Sequence, residues 1–179
     1  MWFGHHGSDY ASGGMLDLAK LQDALEALHR RTAISLTVIS NNRSKFKTLT
    51  RNWQVPAFYL EWSSSTFSRA LRSHQVALIP ITRNPFTVCK TNNRLATALL
   101  HGLGVAANSI PSYQPFAEAC VLDNWTKQLE RLVRDTQWRS QLNARGLASL
   151  AQHWQLRQIA AQWHEQLSSL CSPSVHKSD

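Results

Sequence analysis

Cysteine is rare in this chain, and its three cysteines argue against a disulfide framework. Cys89, Cys120 and Cys171 lie far apart, form no CxxC pair and are odd in number. We therefore expect free thiols and a reducing, cytoplasmic setting. Long hydrophobic runs are also missing. No stretch approaches the roughly 20 apolar residues of a membrane-spanning helix, and the opening MWFGHHGSDY has no signal-peptide pattern.

Acidic residues are scarce as well, which gives the chain a net charge of +8. Its 11 carboxylates are outnumbered by 19 lysines and arginines. These basic residues are spread from Lys20 to Lys177, with only a loose cluster at 41–51. Nucleic-acid binding favours a dense basic strip interleaved with aromatic residues, so we expect no nucleic-acid partner. The positive charge suits a phosphorylated ligand or the surface of an anionic membrane equally well.

Several signatures of catalysis are absent too. The chain has no G-x-S-x-G elbow, no G-x-x-x-x-G-K-[ST] phosphate loop and no complete G-x-G-x-x-G fingerprint. A dinucleotide-dependent oxidoreductase is therefore disfavoured. No second His, Cys or Asp group with ligand spacing accompanies the adjacent His5 and His6, so we expect no metal site.

What the chain does contain is a regular alternation of β-branched runs and amphipathic segments. Strands are predicted at 33–40, 55–60, 76–81 and 105–108, and the clearest helix of the central region at 92–101. Such alternation implies parallel strands joined by right-handed crossovers. We predict an α/β fold, a three-layer Rossmann-like sandwich with a mostly parallel sheet. It would form one domain over 1–170, followed by a flexible tail at 171–179.

The last part of the chain carries a helical apolar stripe with a period of about 3.6 residues. The stripe consists of Leu156, Ile159, Ala160, Trp163, Leu167 and Leu170. The simplest interpretation of Trp138, Trp154 and Trp163 is that they belong to the core.

The segment from Lys90 to Arg94, KTNNR, is the strongest candidate for a binding site. In a parallel α/β sheet, ligands bind beyond the carboxyl ends of the strands, and this segment follows one of them. Free N–H groups and the positive dipole end of the next helix suit a diphosphate. Lys90 and Arg94 would add charge, and Asn92 and Asn93 would add hydrogen bonds. An ordinary helix start with an Asn cap explains the same pattern equally well.

The order of features from the strand VALIPI onward resembles the C-terminal, nucleotide-sugar-binding domain of GT-B glycosyltransferases of the group 1 or family 4 type. A Pro-Phe loop, KTNNR, a helix and HGLGVAANSIPSY follow that strand, and the opening WFGHHG is similar to the strand and glycine loop that begin the domain. The resemblance implies a UDP- or GDP-sugar donor whose phosphates lie near Gly4–Gly7 and Lys90–Arg94. It also implies metal-independent hexosyl transfer with no cofactor besides that donor.

Further candidate residues lie in the other loops at the carboxyl ends of the strands. The resemblance implies sugar or ribose contacts for Tyr113 and Glu118, and Ser109 is a candidate phosphate ligand, although a turn residue by default. Trp62 could stack on a nucleobase and Glu61 could bind the base or ribose, although packing against the sheet is the commoner role of such a tryptophan.

His5 could meet a phosphate through its imidazole and Gly7 through its backbone, but a plain polar loop also fits this segment. We expect the adjacent side chains of His5 and His6 to point in different directions.

The sequence departs from the GT-B pattern in three respects. Gly104 stands where the family usually has proline, and the paired glutamates of many retaining members are missing from FTVCKTNNRLAT. The chain also has room for one domain only, whereas GT-B enzymes use a cleft between two. We therefore expect a donor-binding half that is incomplete without an acceptor-binding N-terminal domain. The alternatives are a non-catalytic interaction module, a split subunit that pairs with another chain, or a homodimer. A flavodoxin- or response-regulator-like domain is a further alternative, and the missing acidic cluster near the first strand argues against a regulator.

Overall fold

The computed structural model describes residues 1–7 and 13–171. Within them lie six short strands: β1 (Trp2–Phe3), β2 (Leu36–Ser40), β3 (Ala57–Glu61), β4 (Val76–Ile79), β5 (Gly104–Ala107) and β6 (Val121–Leu122). The helices of the same residues are α1 (Met15–Ala19), α2 (Gln22–Arg31), α3 (Arg43–Thr50), α4 (Ser64–Arg72), α5 (Asn93–Leu100), α6 (Lys127–Arg134), α7 (Thr136–His153) and α8 (Leu156–Cys171). Two 3₁₀ turns span Thr87–Cys89 and Pro111–Phe116.

The strands form two three-stranded parallel sheets that meet edge to edge. One sheet has the order β1-β2-β3 and the other β4-β5-β6. Met1 joins them, because its N donates to the Val76 carbonyl at 2.7 Å and its carbonyl accepts from the Leu78 N–H at 2.8 Å. The combined order is therefore 3-2-1-4-5-6, with the direction of winding reversing between β1 and β4. The predicted parallel α/β fold is confirmed.

Helices cover both faces of this sheet and bury a separate apolar core on each. On one face α1, α2, α3 and α6 pack over the strands, with Leu25, Leu28 and Leu129 almost fully buried. On the other face α4, α5 and part of α7 do the same, through residues such as Leu71 and Leu99. Aliphatic and small side chains fill β4 and β5, and both strands are buried along their whole length, as expected for strands covered on both faces of a parallel sheet. The predicted three layers are present.

Two details differ from the sequence prediction. The two-residue strand β6 carries too short a pattern to be recognised in advance. The stripe on α8 is not core: Trp163 is 64% exposed and Leu170 is 82% exposed, since no other layer of the described chain covers this helix.

The predicted tail at 171–179 falls outside the described residues, apart from Cys171, which ends α8. No helix among the described residues combines the length and the apolar character needed to cross a membrane.

Candidate functional site

A cavity of about 640 Å³ opens where the winding of the sheet reverses, beyond the carboxyl ends of β1 and β4. This is the position at which open α/β sheets bind ligands. Its walls come from the segment after β1, the loop before α5 with the first turn of that helix, and the 3₁₀ turn after β5. The described lining residues are Gly4, His5, Gly7, Gly13, Gly14, Phe86, Lys90, Thr91, Asn93, Arg94 and Tyr113.

One wall of the cavity is built from glycines whose conformation or spacing excludes a side chain. Gly7 has φ +87° and Gly14 has φ +61°. A Cβ on Gly14 would stand 2.5 Å from both the Gly7 nitrogen and the His5 oxygen. The two glycine segments are therefore pressed together, and Met15 N donates to the His6 carbonyl at 3.3 Å across their contact.

The adjacent histidines lie face to face rather than apart. Their ring centroids are 4.2 Å apart and the planes are inclined by 27°. His5 Nδ1 accepts from Gly7 N at 3.1 Å, and His6 Nδ1 is 2.9 Å from Asn41 Oδ1. The prediction that the two side chains diverge was wrong, because the chain turns here and does not continue the alternation of an extended strand. His5 lines the cavity and is exposed.

The opposite wall carries two cations with no carboxylate among the described lining residues. Partial burial lowers the pKa of Lys90, and the neighbouring Arg94 charge lowers it further, while Asp17 opposes the shift. Lys90 Nζ also lies 5.6 Å from the centre of the Phe86 ring. Asp17 is itself buried and accepts a hydrogen bond from Thr82. Two repelling cations at a half-buried site favour an anion between them.

The first turn of α5 adds N–H donors to this wall. The helix begins at Asn93, and the Asn92 side chain makes no capping hydrogen bond to it. The first N–H groups of the helix consequently lack the usual side-chain acceptor, and Asn93 and Arg94 border the cavity. The predicted Asn cap is therefore not formed. Asn92 is 7% exposed, its Nδ2 has no partner among the described atoms, and it borders a separate apolar cleft between α5, α7 and α8.

The 3₁₀ turn after β5 closes the cavity behind both cations. Ser112 Oγ donates to the Lys90 carbonyl at 2.7 Å. Tyr113 is 1% exposed, and burial raises the pKa of its phenol. The Arg94 guanidinium interacts with this phenol and acts on its pKa in the opposite direction.

A smaller cavity of about 250 Å³ adjoins the first and contains the predicted nucleobase tryptophan. Gly4, His5, Ser40, Asn41 and Trp62 line it. Trp62 is 54% exposed, so it does not serve mainly as packing between a helix and the sheet. Glu61 is exposed and interacts with the Tyr59 hydroxyl instead of lining this cavity.

Ser109 and Glu118, like Asn92 and Glu61, line neither cavity. Ser109 belongs to a local network in which its N–H donates to Asp123 at 3.2 Å and its carbonyl accepts from Arg83 at 2.8 Å. The Glu118 side chain is 94% exposed, and its nearest ionic partner is Arg145 of α7 at 4.0 Å. Neither side chain is brought together with Lys90 and Arg94.

Sequence reasoning missed several residues that shape the site. Phe86, Thr91, Gly13 and Gly14 line the main cavity, and Asp17 lies behind it. The Pro-Phe and Gly-Gly pairs offered a signal, since both fall in segments facing the carboxyl ends of the strands. Asp17 offered none, because its spacing is that of an ordinary helical residue. No group of three or more His, Cys, Asp or Glu residues in the described chain is placed to hold a metal ion.

No protein-family model and no curated protein matches this chain, but solved structures do. S. aureus TarM, solved as a variant in complex with UDP, matches 92% of this chain and 34% of its own length, with a TM-score of 0.69 and 10% identity. Anabaena HepE in complex with UDP and glucose matches 94% of this chain and 48% of its own, with a TM-score of 0.67 and 14% identity. WaaG, a glycosyltransferase involved in lipopolysaccharide biosynthesis, matches 81% and 41%, with a TM-score of 0.58 and 15% identity.

These neighbours define the class of the fold. They are GT-B glycosyltransferases, and the chain has the architecture of a GT-B C-terminal-like domain. The chain spans between 34% and 48% of the length of these three neighbours.

Proposed function

We propose that this chain is the donor-binding half of a glycosyltransferase and that it binds a nucleotide-diphosphate sugar. The observation that carries the proposal is the cavity between β1 and β4, where Lys90, Arg94 and the first turn of α5 face a glycine-built wall. Cations, free N–H groups and a close backbone together match the needs of a diphosphate. The complexes of TarM and HepE with UDP support a uridine nucleotide as the first ligand to test.

The proposed chemistry is electrostatic. When a sugar leaves its nucleotide, negative charge develops on the departing diphosphate, and preorganised cations and N–H groups stabilise it. Lys90 and Arg94 would supply the charge, while the backbone between Gly4 and Gly7 would close over the phosphates. Neither predicted carboxylate, Glu61 or Glu118, reaches the main cavity, so we assign no acid or base to this chain.

The nucleobase would occupy the smaller cavity beside Trp62. Its half-exposed indole offers a face on which a base can stack, and Asn41 lies on the same cavity wall. This placement leaves His5 between base and phosphates, because His5 lines both cavities.

We further propose that a second domain, on the same or another chain, completes the enzyme. The exposed stripe on α8, with Leu156 at 83% and Trp163 at 64% exposure, is the surface it would cover. Apolar patches of this kind mark protein contacts. The same stripe supports the second candidate function, a non-catalytic interaction module or split subunit. Light scattering would test that candidate: self-association that Trp163→Gln abolishes would favour a homodimer.

Calorimetric titration with UDP and with GDP tests the nucleotide proposal. We expect dissociation constants in the micromolar to millimolar range, and a loss of about tenfold or more in Lys90→Ala and Arg94→Ala, since each removes a charge-assisted interaction of about 1.5–3 kcal/mol. Arg72→Ala is the matched control. It removes one positive charge from an exposed side chain in the last turn of α4, near the amino end of β4 and so at the opposite end of that strand from the cavity.

The outcomes separate clearly. Binding that the two site variants weaken and the control leaves unchanged supports the donor site, and the preferred nucleotide identifies the base. A folded chain that binds neither nucleotide refutes the donor-site proposal and favours the interaction module.

A further inference from the structure

The 3₁₀ turn at Pro111–Phe116 contacts both cation-bearing segments of the main cavity, although it belongs to neither. Its Ser112 hydroxyl donates to the Lys90 main-chain carbonyl at 2.7 Å. This bond fixes the main chain of Lys90, shortly before α5 begins at Asn93, at the point where the Lys90 side chain leaves the backbone. Lys90 N in turn donates to the Thr87 carbonyl at 3.2 Å, so the residue is held through both of its main-chain polar groups.

The next residue of the turn holds the second cation. The Tyr113 phenol is almost completely buried, borders the same cavity as Arg94, and interacts with the Arg94 guanidinium, whose positive charge opposes the rise in its pKa. On its other side this guanidinium is confined by the segment after β1, because a Cβ on Gly4 would stand 3.3 Å from Arg94 Nη1. Arg94 therefore lies between Tyr113 and the Gly4 backbone, with little freedom to change rotamer.

The burial of Tyr113 argues against the sugar contact that the GT-B resemblance implies for it. A side chain that is 1% exposed offers almost no surface to a ligand, whereas its hydroxyl can still act through a neighbour. The Ser112 hydroxyl is likewise engaged with the protein main chain.

We propose that Ser112 and Tyr113 are positioning residues that orient Lys90 and Arg94 toward the diphosphate. The inference rests on the proposed nucleotide site and explains how the Lys90 and Arg94 side chains come to face it. Each hydroxyl acts on one cation only: Ser112 through the Lys90 backbone and Tyr113 through the Arg94 side chain. Preorganising a cation in this way reduces the ordering that binding would otherwise require.

The test is UDP titration of Tyr113→Phe and Ser112→Ala, alone and combined with Arg94→Ala or Lys90→Ala. Tyr113→Phe keeps the buried ring and removes only the hydroxyl, and we expect UDP to bind about tenfold more weakly, at the lower end of the range for loss of a polar partner of a charged group. Ser112→Ala should weaken binding about threefold, as for a neutral hydrogen bond. Ser73→Ala is the control, because Ser73 Oγ also donates to a main-chain carbonyl, that of Arg69 at 3.0 Å, and Ser73 precedes β4, at the opposite end of that strand from the cavity.

The double variants distinguish positioning from a general loss of structure. Tyr113→Phe should have no further effect once Arg94 is alanine but keep its effect beside Lys90→Ala. Ser112→Ala should show the reverse pattern. Two results would overturn this inference alone. In the first, each substitution changes UDP affinity by the same factor in every background. In the second, neither Tyr113→Phe nor Ser112→Ala changes UDP affinity although Arg94→Ala weakens it. Failure of the unsubstituted chain to bind UDP or GDP would overturn the nucleotide site together with it.

Discussion

Replacing Gly14 by alanine is a severe test of the site, because this glycine supports the wall formed by residues 4–7. Its backbone has φ +61° and ψ −124°, a conformation that side chains with a Cβ rarely adopt. The new methyl group would lie 2.5 Å from both the Gly7 nitrogen and the His5 oxygen. Both neighbours are main-chain atoms, which cannot rotate away as the end of a side chain can.

The size of the effect follows from these two facts. A residue held in a sparsely populated backbone conformation costs about 1–3 kcal/mol of the free energy of unfolding. Carbon and carbonyl oxygen atoms in contact normally stand about 3.3–3.6 Å apart, so the 2.5 Å approach requires the segment at His5–Gly7 to move by about 1 Å. Such a shift removes at least one well-aligned phosphate contact, and we expect UDP affinity to fall at least tenfold, equivalent to about 1.4 kcal/mol.

Gly102→Ala is the matched control for the backbone term. Gly102 follows α5 with φ +81°, and a Cβ added there meets no atom within 4 Å. Alanine in this left-handed conformation should lower the free energy of unfolding by about 1–2 kcal/mol without disturbing the cavity. Urea denaturation measures the stability of both variants, and calorimetry measures their binding of UDP.

The two variants should differ in their affinity for the nucleotide. Both lose stability, but only Gly14→Ala loses affinity for the nucleotide. If Gly14→Ala binds UDP as well as Gly102→Ala does, the glycine wall takes no part in holding the phosphates and the reasoning is refuted.

Three further predictions concern stability and reactivity. Leu99→Ala should lower the free energy of unfolding by about 2–5 kcal/mol in urea denaturation, since Leu99 is fully buried. Adding Gly146→Ala should restore part of the loss, because its methyl group would enter the space that the Leu99 side chain occupies. Burial raises the pKa of Cys120 to about 12, so a thiol reagent at neutral pH should label Cys89 in the native chain and Cys120 only after unfolding. Rapid labelling of both thiols in the native chain would contradict the burial of Cys120. Desolvation lowers the pKa of His74 below its ordinary 6.5, so the unfolded chain takes up this proton first as the pH falls. The free energy of unfolding should therefore decline below about pH 6.5. His74→Asn should reduce this dependence on pH in urea titrations at several pH values.

The fold could be predicted from the sequence because the strand and helix patterns agree with one another and with a parallel α/β architecture. The run VALI is buried along its whole length, as expected for a strand covered on both faces, and α5 follows within one residue of its predicted start. The position of the site followed from topology alone. Once the strands are parallel and wound in both directions, the loops after β1 and β4 must meet, and Lys90 and Arg94 lie in one of them.

Side-chain directions could not be predicted in the same way. Glu118 follows β5 in sequence, but the 3₁₀ turn rotates it to the surface beside Arg145. The apolar stripe on α8 has the same periodicity as a buried helix, and only the absence of a covering layer in the described chain distinguishes it. Asp17 is a buried carboxylate that acts on the pKa of Lys90. The two residues lie far apart in sequence, so no local pattern could indicate this interaction.

The junction between the two half-sheets has a consequence for how the chain unfolds. The halves are joined through Met1, which pairs with Val76 and Leu78, and the main cavity lies across this line. A nucleotide bound as proposed, between Gly4 on one half and Arg94 on the other, would bridge the junction, and at a concentration one hundred times its dissociation constant it would add about 2.7 kcal/mol to the free energy of unfolding. Because separating the halves would release the ligand, the saturated chain should open as one cooperative unit. The Leu78 amide proton, which donates to the Met1 carbonyl across the junction, should then exchange with solvent far more slowly than in the free chain.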